Sequence, residues 1–175
     1  MSEKNDWKYL FIESRARVYL LWAVLLTVGF IATHYYQQKT INGLWFTISL
    51  IGLGYMWKVM PLRVKQMKHI FLAWLIPIAF GMAVSGLIFY LETAAAFNLI
   101  GHLGAFWLLV MSLGYFLNGL VDPPSGWYWF AAVLNFVAGI LCFTQETFEF
   151  TQYLIAAVVS AWSMVNLWLF RSSYL

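Results

Sequence analysis

The stretch from Lys58 to His69 reads KVMPLRVKQMKH and lies between two long apolar runs. It contains four Lys and Arg residues and one proline, a composition typical of a membrane-protein loop on the cytoplasmic side. No denser run of positive charge follows the first 17 residues. If this loop is cytoplasmic, the direction of every membrane-spanning segment follows, because consecutive spans alternate in direction.

The composition indicates an integral membrane protein. Of the 175 residues, 63% are hydrophobic and 10% are charged, whereas a soluble domain has about 45–50% apolar and about 25% charged residues. One soluble core of this size cannot bury that excess, so lipid is the better solvent. The net charge of +3 comes from cations beside membrane segments, so nucleic acid is not expected as a partner. The single cysteine, Cys142, excludes an intramolecular disulfide.

Six apolar segments are long enough to cross a bilayer, since about 20 helical residues span a hydrocarbon core of about 30 Å. They do not alternate in polarity as barrel strands do. We predict an all-α integral membrane protein with helices at about 18–36, 41–60, 70–91, 97–121, 127–143 and 153–170. Residues 18–175 would form a single domain, preceded by a short interfacial helix in the cytoplasmic segment 1–17. The connections are short, which predicts three consecutive antiparallel hairpins.

The distribution of Lys and Arg predicts the orientation. With the amino terminus inside, nine of the ten cations lie on the cytoplasmic side and only Lys39 lies outside. This distribution predicts a multi-pass protein of the plasma (inner) membrane with both termini in the cytoplasm. Anionic lipid headgroups are the expected contacts of six of these cations. They are Arg15, Arg17, Lys58, Arg63, Lys65 and Lys68.

Two short patterns recur in the same order along the chain, a Trp and a Gly seven residues apart and a Leu-Gly-Tyr sequence. They occur at Trp22 and Gly29, Trp74 and Gly81, Leu53-Gly54-Tyr55, and Leu113-Gly114-Tyr115. Such matches favour a duplicated hairpin whose copies pack around an axis along the membrane normal. Trp129 and Gly139 would belong to a degraded third copy. Chance is the alternative, because Leu, Gly and Trp are abundant in this chain.

Polar residues inside the predicted helices are the candidate ligand-binding residues. His34 and His102 lie towards the outer ends of two helices, where two imidazoles could ligate haem iron or a divalent metal. Alternatively, both rings hydrogen bond only to the backbone or to water. Asn118 and Asn135 could contact a ligand or form hydrogen bonds between helices. No local pair such as His-x-x-x-His occurs, so neither a metal nor a cofactor is predicted.

No catalytic residues are predicted, because the sequence lacks a Gly-x-Ser-x-Gly elbow, a His-Glu-x-x-His helix and a dinucleotide fingerprint. We expect a non-enzymatic accessory or scaffold protein, in a homo-oligomer or a larger membrane complex. A transporter or channel for a neutral or apolar small solute is the first alternative. A haem- or metal-binding membrane protein that uses His34 and His102 is the second.

Overall fold

The structure, a computed structural model, describes residues 3–36, 40–91, 101–122 and 126–170, with side chains from residue 13 onward. These residues contain helices and no strand. The elements are α1 (Glu3–Tyr35), α2 (Ile41–Val59), α3 (Lys65–Leu91), α4 (Leu103–Val121), α5 (Gly126–Thr144), a short 3-10 helix (Glu146–Phe148) and α6 (Gln152–Leu169). The all-helical prediction is confirmed for this part of the chain.

Within the described ranges, five of the six α-helices are long and apolar enough to cross a membrane. The candidate spans are Glu13–Tyr35, Lys65–Leu91, Leu103–Val121, Gly126–Thr144 and Gln152–Leu169. The helix outside this set is α2, although it has 19 residues. Asn42 and Lys58 lie near its ends with glycine and aromatic residues between them, and these lower its mean hydropathy.

Two helix starts differ from the prediction. α1 continues from Glu3 to Tyr35 with no break near residue 17, because neither proline nor glycine occurs in its first 26 residues to end a separate helix. α3 begins at Lys65 rather than near residue 70, so Lys65 and Lys68 lie in its first turns. Both side chains are exposed while Met67 between them is buried. The predicted start of the fourth helix near residue 97 lies outside the described residues.

Tryptophan rings pack against glycines where α1 meets α2. Trp22 of α1 covers Gly52, and Trp45 of α2 covers Gly29, so each helix gives one ring and receives one. A Cβ atom at Gly29 would lie 2.8 Å from the Trp45 ring. The two contacts therefore require glycine, since any side chain would push the helices apart.

The same reciprocal contact occurs where α3 meets α4. Trp74 of α3 covers Gly114, and Trp107 of α4 covers Gly81. A Cβ atom would lie 2.7 Å from the ring at Gly114 and 2.8 Å from the ring at Gly81. The two helix pairs meet through Trp45 and Trp107, whose rings stack with centroids 5.6 Å apart and planes 9° apart.

The indole N–H groups of these stacked rings have matching partners. Trp45 donates to the Thr33 hydroxyl at 2.9 Å, and Trp107 donates to the Ser85 hydroxyl at 3.1 Å. Each indole thus fills an apolar space and satisfies its polar edge inside the bundle.

The remaining two helices complete the bundle. α6 packs along α1, and α5 packs along α4, while α4 and α5 both contact α6. These four helices enclose a region where buried polar side chains are concentrated. That region contains the candidate site.

Candidate functional site

Five polar side chains from four helices meet at one end of the bundle. Arg15 of α1 forms an ion pair with Asp122, which directly follows α4, and their side chains are 5% and 4% exposed. Arg15 also donates to the hydroxyls of Tyr128 at 2.9 Å and Tyr19 at 3.3 Å. Gln66 of α3 donates to the second Asp122 oxygen at 3.3 Å. We call Arg15, Tyr19, Gln66, Asp122 and Tyr128 the ion-pair cluster.

The ion-pair cluster combines one full positive and one full negative charge. Removing either charge from water is costly, and the cost is offset only when partner charge and hydrogen bonds surround both groups. Asp122 accepts hydrogen bonds from Arg15 and Gln66, while Arg15 donates to Asp122 and to two phenol oxygens. The two tyrosine hydroxyls also contact each other. The arrangement is electrically neutral and connects α1, α3, α4 and α5.

A second group of polar residues continues from the ion-pair cluster toward the middle of the bundle. We call Tyr115, Asn118, Asn135, Ser160 and Ser163 the polar column, and each is at most 1% exposed. The Asn135 amide donates to Ser163 at 2.9 Å, which links α5 to α6. The Tyr115 hydroxyl of α4 lies beside Ser163 without meeting hydrogen-bond geometry, so α4 also contributes to this group. The column is therefore a shared interior feature of three helices.

Four atoms of the polar column have no hydrogen-bond partner within the described chain. They are the Tyr115 hydroxyl, the amide oxygens of Asn118 and Asn135, and the Ser160 hydroxyl. Each unsatisfied buried polar group costs about 1–3 kcal/mol, so four cost about 4–12 kcal/mol. That sum is similar to the net stability of a whole domain, about 5–15 kcal/mol. The column therefore needs hydrogen-bond partners beyond these helices.

A small cavity lies in another part of the bundle, beside the stacked tryptophans. It has a volume of about 10 Å³, and its lining includes Thr33, Trp45, Ser85 and Trp107. This is room for about one water molecule. The surroundings are large aromatic side chains, so a larger solute would have to displace them.

The two predicted histidines contact different aromatic rings. His34 packs edge to face on Tyr35, with ring centroids 5.0 Å apart, and His102 stacks on Phe143 at 4.9 Å. The Nδ1 atom of each ring is buried and has no hydrogen-bond partner within the described residues. No group of three or more His, Cys, Asp or Glu side chains suited to a metal occurs in the same part of the chain. Haem or metal binding at these histidines stays an untested alternative hypothesis.

Asn118 and Asn135, the other two predicted ligand residues, both belong to the polar column. Each amide nitrogen donates to the carbonyl one turn earlier in its own helix, at 2.7 Å for Asn118 and 2.8 Å for Asn135. Asn135 also makes the bond to Ser163, as expected for a polar contact between helices. Their oxygens face the interior without a partner, so both amides remain candidate ligand contacts.

The cations predicted to contact lipid headgroups divide into two groups. Lys58, Arg63, Lys65 and Lys68 are exposed, and so is Arg17, which pairs with Glu13 on the same helix. Their headgroup contacts stay a prediction. Arg15 differs, because its guanidinium is buried and bound to Asp122 instead of facing the lipid surface.

The ion pair was not predicted from the sequence, although one signal for it exists. Asp122 is the only acidic residue after Glu13 in the segments assigned to the cytoplasmic side. A lone carboxylate among many cations is a reasonable partner for one of them. The sequence does not say which cation, since nine lie on that side.

Comparison of the chain with protein-family models, with curated proteins and with solved structures finds no match. The geometry of the bundle is thus the basis for assigning a function.

Proposed function

We propose that the chain is a non-enzymatic, multi-pass membrane protein that acts as an accessory or scaffold component and associates with itself or with a larger complex. The observation that carries this proposal is the interlocked core, in which four tryptophans occupy the spaces over four glycines. A core packed in this way favours one rigid arrangement. A rigid bundle suits a protein that holds partners in place better than one that must open for a solute.

An exposed apolar surface supports the association. α4 and α5 form an open groove of about 510 Å³ lined by eight residues. Phe116, Val133 and Phe136 within it are 42%, 61% and 53% exposed. A groove of this shape offers aromatic and branched side chains to a helix of another chain, and such helices associate through close packing in lipid.

For the arrangement in the membrane, we propose three antiparallel hairpins in the plasma (inner) membrane, with both termini in the cytoplasm. The order of contacts between α1 and α2 supports the first hairpin, because Trp22 meets Gly52 while the later Gly29 meets the earlier Trp45. The excess of cations on one side supports the orientation. In this arrangement α2 is the sixth span, and its lower apolarity is offset by its packing against α1.

We further propose that the first two hairpins are copies of each other. Thr33 and Trp45 make the hydrogen bond that Ser85 and Trp107 make. When the two hairpins are aligned on these contacts, Gly52 corresponds to Gly114, because each is covered by a Trp of the preceding helix. This alignment differs from the one that pairs the two Leu-Gly-Tyr sequences, in which Gly54 corresponds to Gly114.

The third hairpin is not included in the proposed duplication. Trp129 packs on Gly119, and Gly139 faces Leu109, so both α5 residues of the expected third copy contact α4 instead of α6, the second helix of their own hairpin. We therefore propose that the hairpin α1–α2 is duplicated as α3–α4, and that α5 and α6 form a hairpin of a different kind.

A test of the accessory role measures self-association in the membrane. The protein is reconstituted in liposomes at low density, and subunits per particle are counted by single-molecule photobleaching. We expect the unmodified protein to form oligomers. We expect the double variant Phe116→Ala with Phe136→Ala to be mainly monomeric. The matched control is Phe46→Ala with Phe80→Ala, which removes two exposed rings of α2 and α3. If the unmodified protein is monomeric and forms no crosslinked complex in its native membrane, the accessory role is wrong.

Transport of a small neutral solute is the second candidate. It is favoured by the four unpaired atoms of the polar column, because a solute-binding site needs hydrogen-bonding groups in the membrane interior. Solute flux into proteoliposomes distinguishes the two candidates. A saturable flux that is lost with Asn135→Leu would favour transport over the accessory role.

A further inference from the structure

We propose that the polar column binds internal water molecules, which extend the hydrogen-bond network of the ion-pair cluster from one end of the bundle to its middle. This inference does not depend on the accessory role. It rests on the position, burial and chemistry of the four unpaired atoms.

The column and the ion-pair cluster are continuous along one face of α4. Tyr115, Asn118 and Asp122 lie at positions i, i+3 and i+7 of the chain, which places them on the same side of a helix over about 10 Å. Asp122 is bound to Arg15 at the end of this face. A polar molecule beside Asn118 is therefore one helical turn from the ion-pair cluster.

The facing helices supply polar groups at matching positions. Ser160 and Ser163 lie one turn apart on α6, and Asn135 of α5 donates to Ser163. Tyr115 lies beside Ser163, and α1 packs along α6. Four helices thus surround the column.

The unpaired atoms define what can bind. The two amide oxygens only accept hydrogen bonds, and the two hydroxyls can donate or accept, so an occupant must both donate and accept. A bound cation would favour an ionised carboxylate, but the nearest one in the described chain, Asp122, is already bound by Arg15 and Gln66. All four residues have no measurable exposure, which favours the smallest molecule with this chemistry.

Water fits these requirements. A buried water makes about three hydrogen bonds, and proteins contain about one buried water for every 27 residues. About two or three waters would supply partners for the four atoms, a number that is modest for a chain of 175 residues.

Apolar residues close the column at the end away from the ion-pair cluster. Leu108 lies seven residues before Tyr115 on α4, and Ala156 lies four residues before Ser160 on α6. Both are completely buried and share the helix faces of the column. The waters would therefore reach the middle of the bundle from one side only, and the column would not conduct across the membrane.

X-ray radiolytic labelling of the full chain in lipid nanodiscs tests the proposal. A brief pulse converts bound water into hydroxyl radicals, and mass spectrometry detects oxygen added to nearby side chains. After correction for the intrinsic reactivity of each residue type, we expect Tyr115 to be labelled several-fold more than Met56, which is equally buried but lies outside both the column and the small cavity. Labelling of Tyr115 at or below the level of Met56 would overturn the proposal.

Variants locate the water. Asn118→Leu with Asn135→Leu removes two acceptors, and we expect labelling of Tyr115 to fall several-fold. The control is Asn42→Leu, which changes the same residue type beside the other cavity and should leave that labelling unchanged. Equal labelling in the column variant and the control would contradict the assignment. If the column variant does not fold, the comparison of Tyr115 with Met56 in the unmodified protein still tests the proposal.

Proton flux tests the closed end. Proteoliposomes containing the unmodified protein should show no more proton leak than empty liposomes, because Leu108 and Ala156 interrupt the column. A leak that depends on the protein would show that the column crosses the membrane and would overturn this part of the proposal.

Discussion

Arg15 and Asp122 form a buried ion pair although 107 positions separate them in the chain. The contact joins the first helix to the end of the fourth. Gln66 and Tyr128 add hydrogen bonds from α3 and α5. One charged contact thereby fixes the relative positions of four helices.

We expect Arg15→Met to destabilise the protein strongly, by about 3–5 kcal/mol, because it leaves the Asp122 carboxylate buried without a counter-charge. The double variant Arg15→Met with Asp122→Leu should recover most of this loss. The measurement is reversible unfolding in mixed detergent micelles.

The control for the ion pair is Arg17→Met, which breaks the exposed pair with Glu13. Exposed pairs contribute about 1 kcal/mol or less, so little change is expected. Additive losses in the double variant would show that the two buried charges do not stabilise each other.

The tryptophan–glycine contacts predict a contrast between two glycines of α3. Gly81→Ala places a methyl group 2.8 Å from the Trp107 ring, and overpacking of this kind costs about 1–3 kcal/mol. Gly86→Ala meets nothing within 4 Å and should be neutral or slightly stabilising, since alanine favours helix by about 1 kcal/mol. Thermal unfolding in detergent measures both. Equal effects of the two variants would mean that the ring does not pack closely on Gly81.

The matching indole hydrogen bonds predict matching energies. Trp45→Phe and Trp107→Phe should each lose about 0.5–1.5 kcal/mol from the hydrogen bond, in addition to the lost ring volume. Double-mutant cycles with Thr33→Val and Ser85→Ala isolate the hydrogen-bond contribution. Similar coupling energies in the two cycles would support the proposed duplication, while coupling in one cycle alone would count against it.

The proposed orientation predicts which side each loop faces. In a Cys142→Ser background, Glu146→Cys should react with an impermeant maleimide in intact cells, and Arg63→Cys should react only after permeabilisation. Both original side chains are exposed, so access within the protein does not limit either reaction. The opposite pattern would invert the proposed topology.

The basic residues before α3 and in its first turns are expected to act on topology. Replacing Arg63, Lys65 and Lys68 with Gln should reduce correctly oriented protein, because three cations leave the cytoplasmic side. The same maleimide assay detects the change. If the variant inserts normally but loses a binding partner, the segment is a docking site instead.

We expect purified protein to show no haem absorption band, because the His34 and His102 rings pack on Tyr35 and Phe143 respectively. Absorption spectroscopy and metal analysis of protein expressed with added iron check this. A haem band that disappears with His102→Ala would contradict the expectation and support the histidine site.

The positions of the helices could be read from the sequence with small errors. α5 and α6 begin and end within one residue of the predicted bounds, because apolar length is a local property that turns interrupt clearly. The start of α3 was predicted five residues late, since Lys65 and Lys68 were assigned to a loop. In the structure both lysines belong to the first turns of α3, where their side chains are exposed while Met67 on the other side of the helix is buried.

The contacts between helices could be predicted much less well. The sequence marks Asn118 and Asn135 as candidate ligand residues, but it does not indicate that Tyr115 lies beside them. Helices in lipid are apolar on most sides, so the sequence pattern does not indicate which face turns inward. The two Leu-Gly-Tyr sequences similarly suggested an alignment that differs by two residues from the one the packing of Gly52 favours.

The sequence by itself determined the helical membrane class, because long apolar segments with few charges have a stable place only in lipid. The tertiary structure alone decided that Arg15 turns inward to Asp122 while Arg17 stays exposed. Two positions along a helix change a side chain's direction by about 200°, so the face that meets α4 decides which arginine is buried. That face depends on how all the helices pack together, which no single segment of the chain specifies.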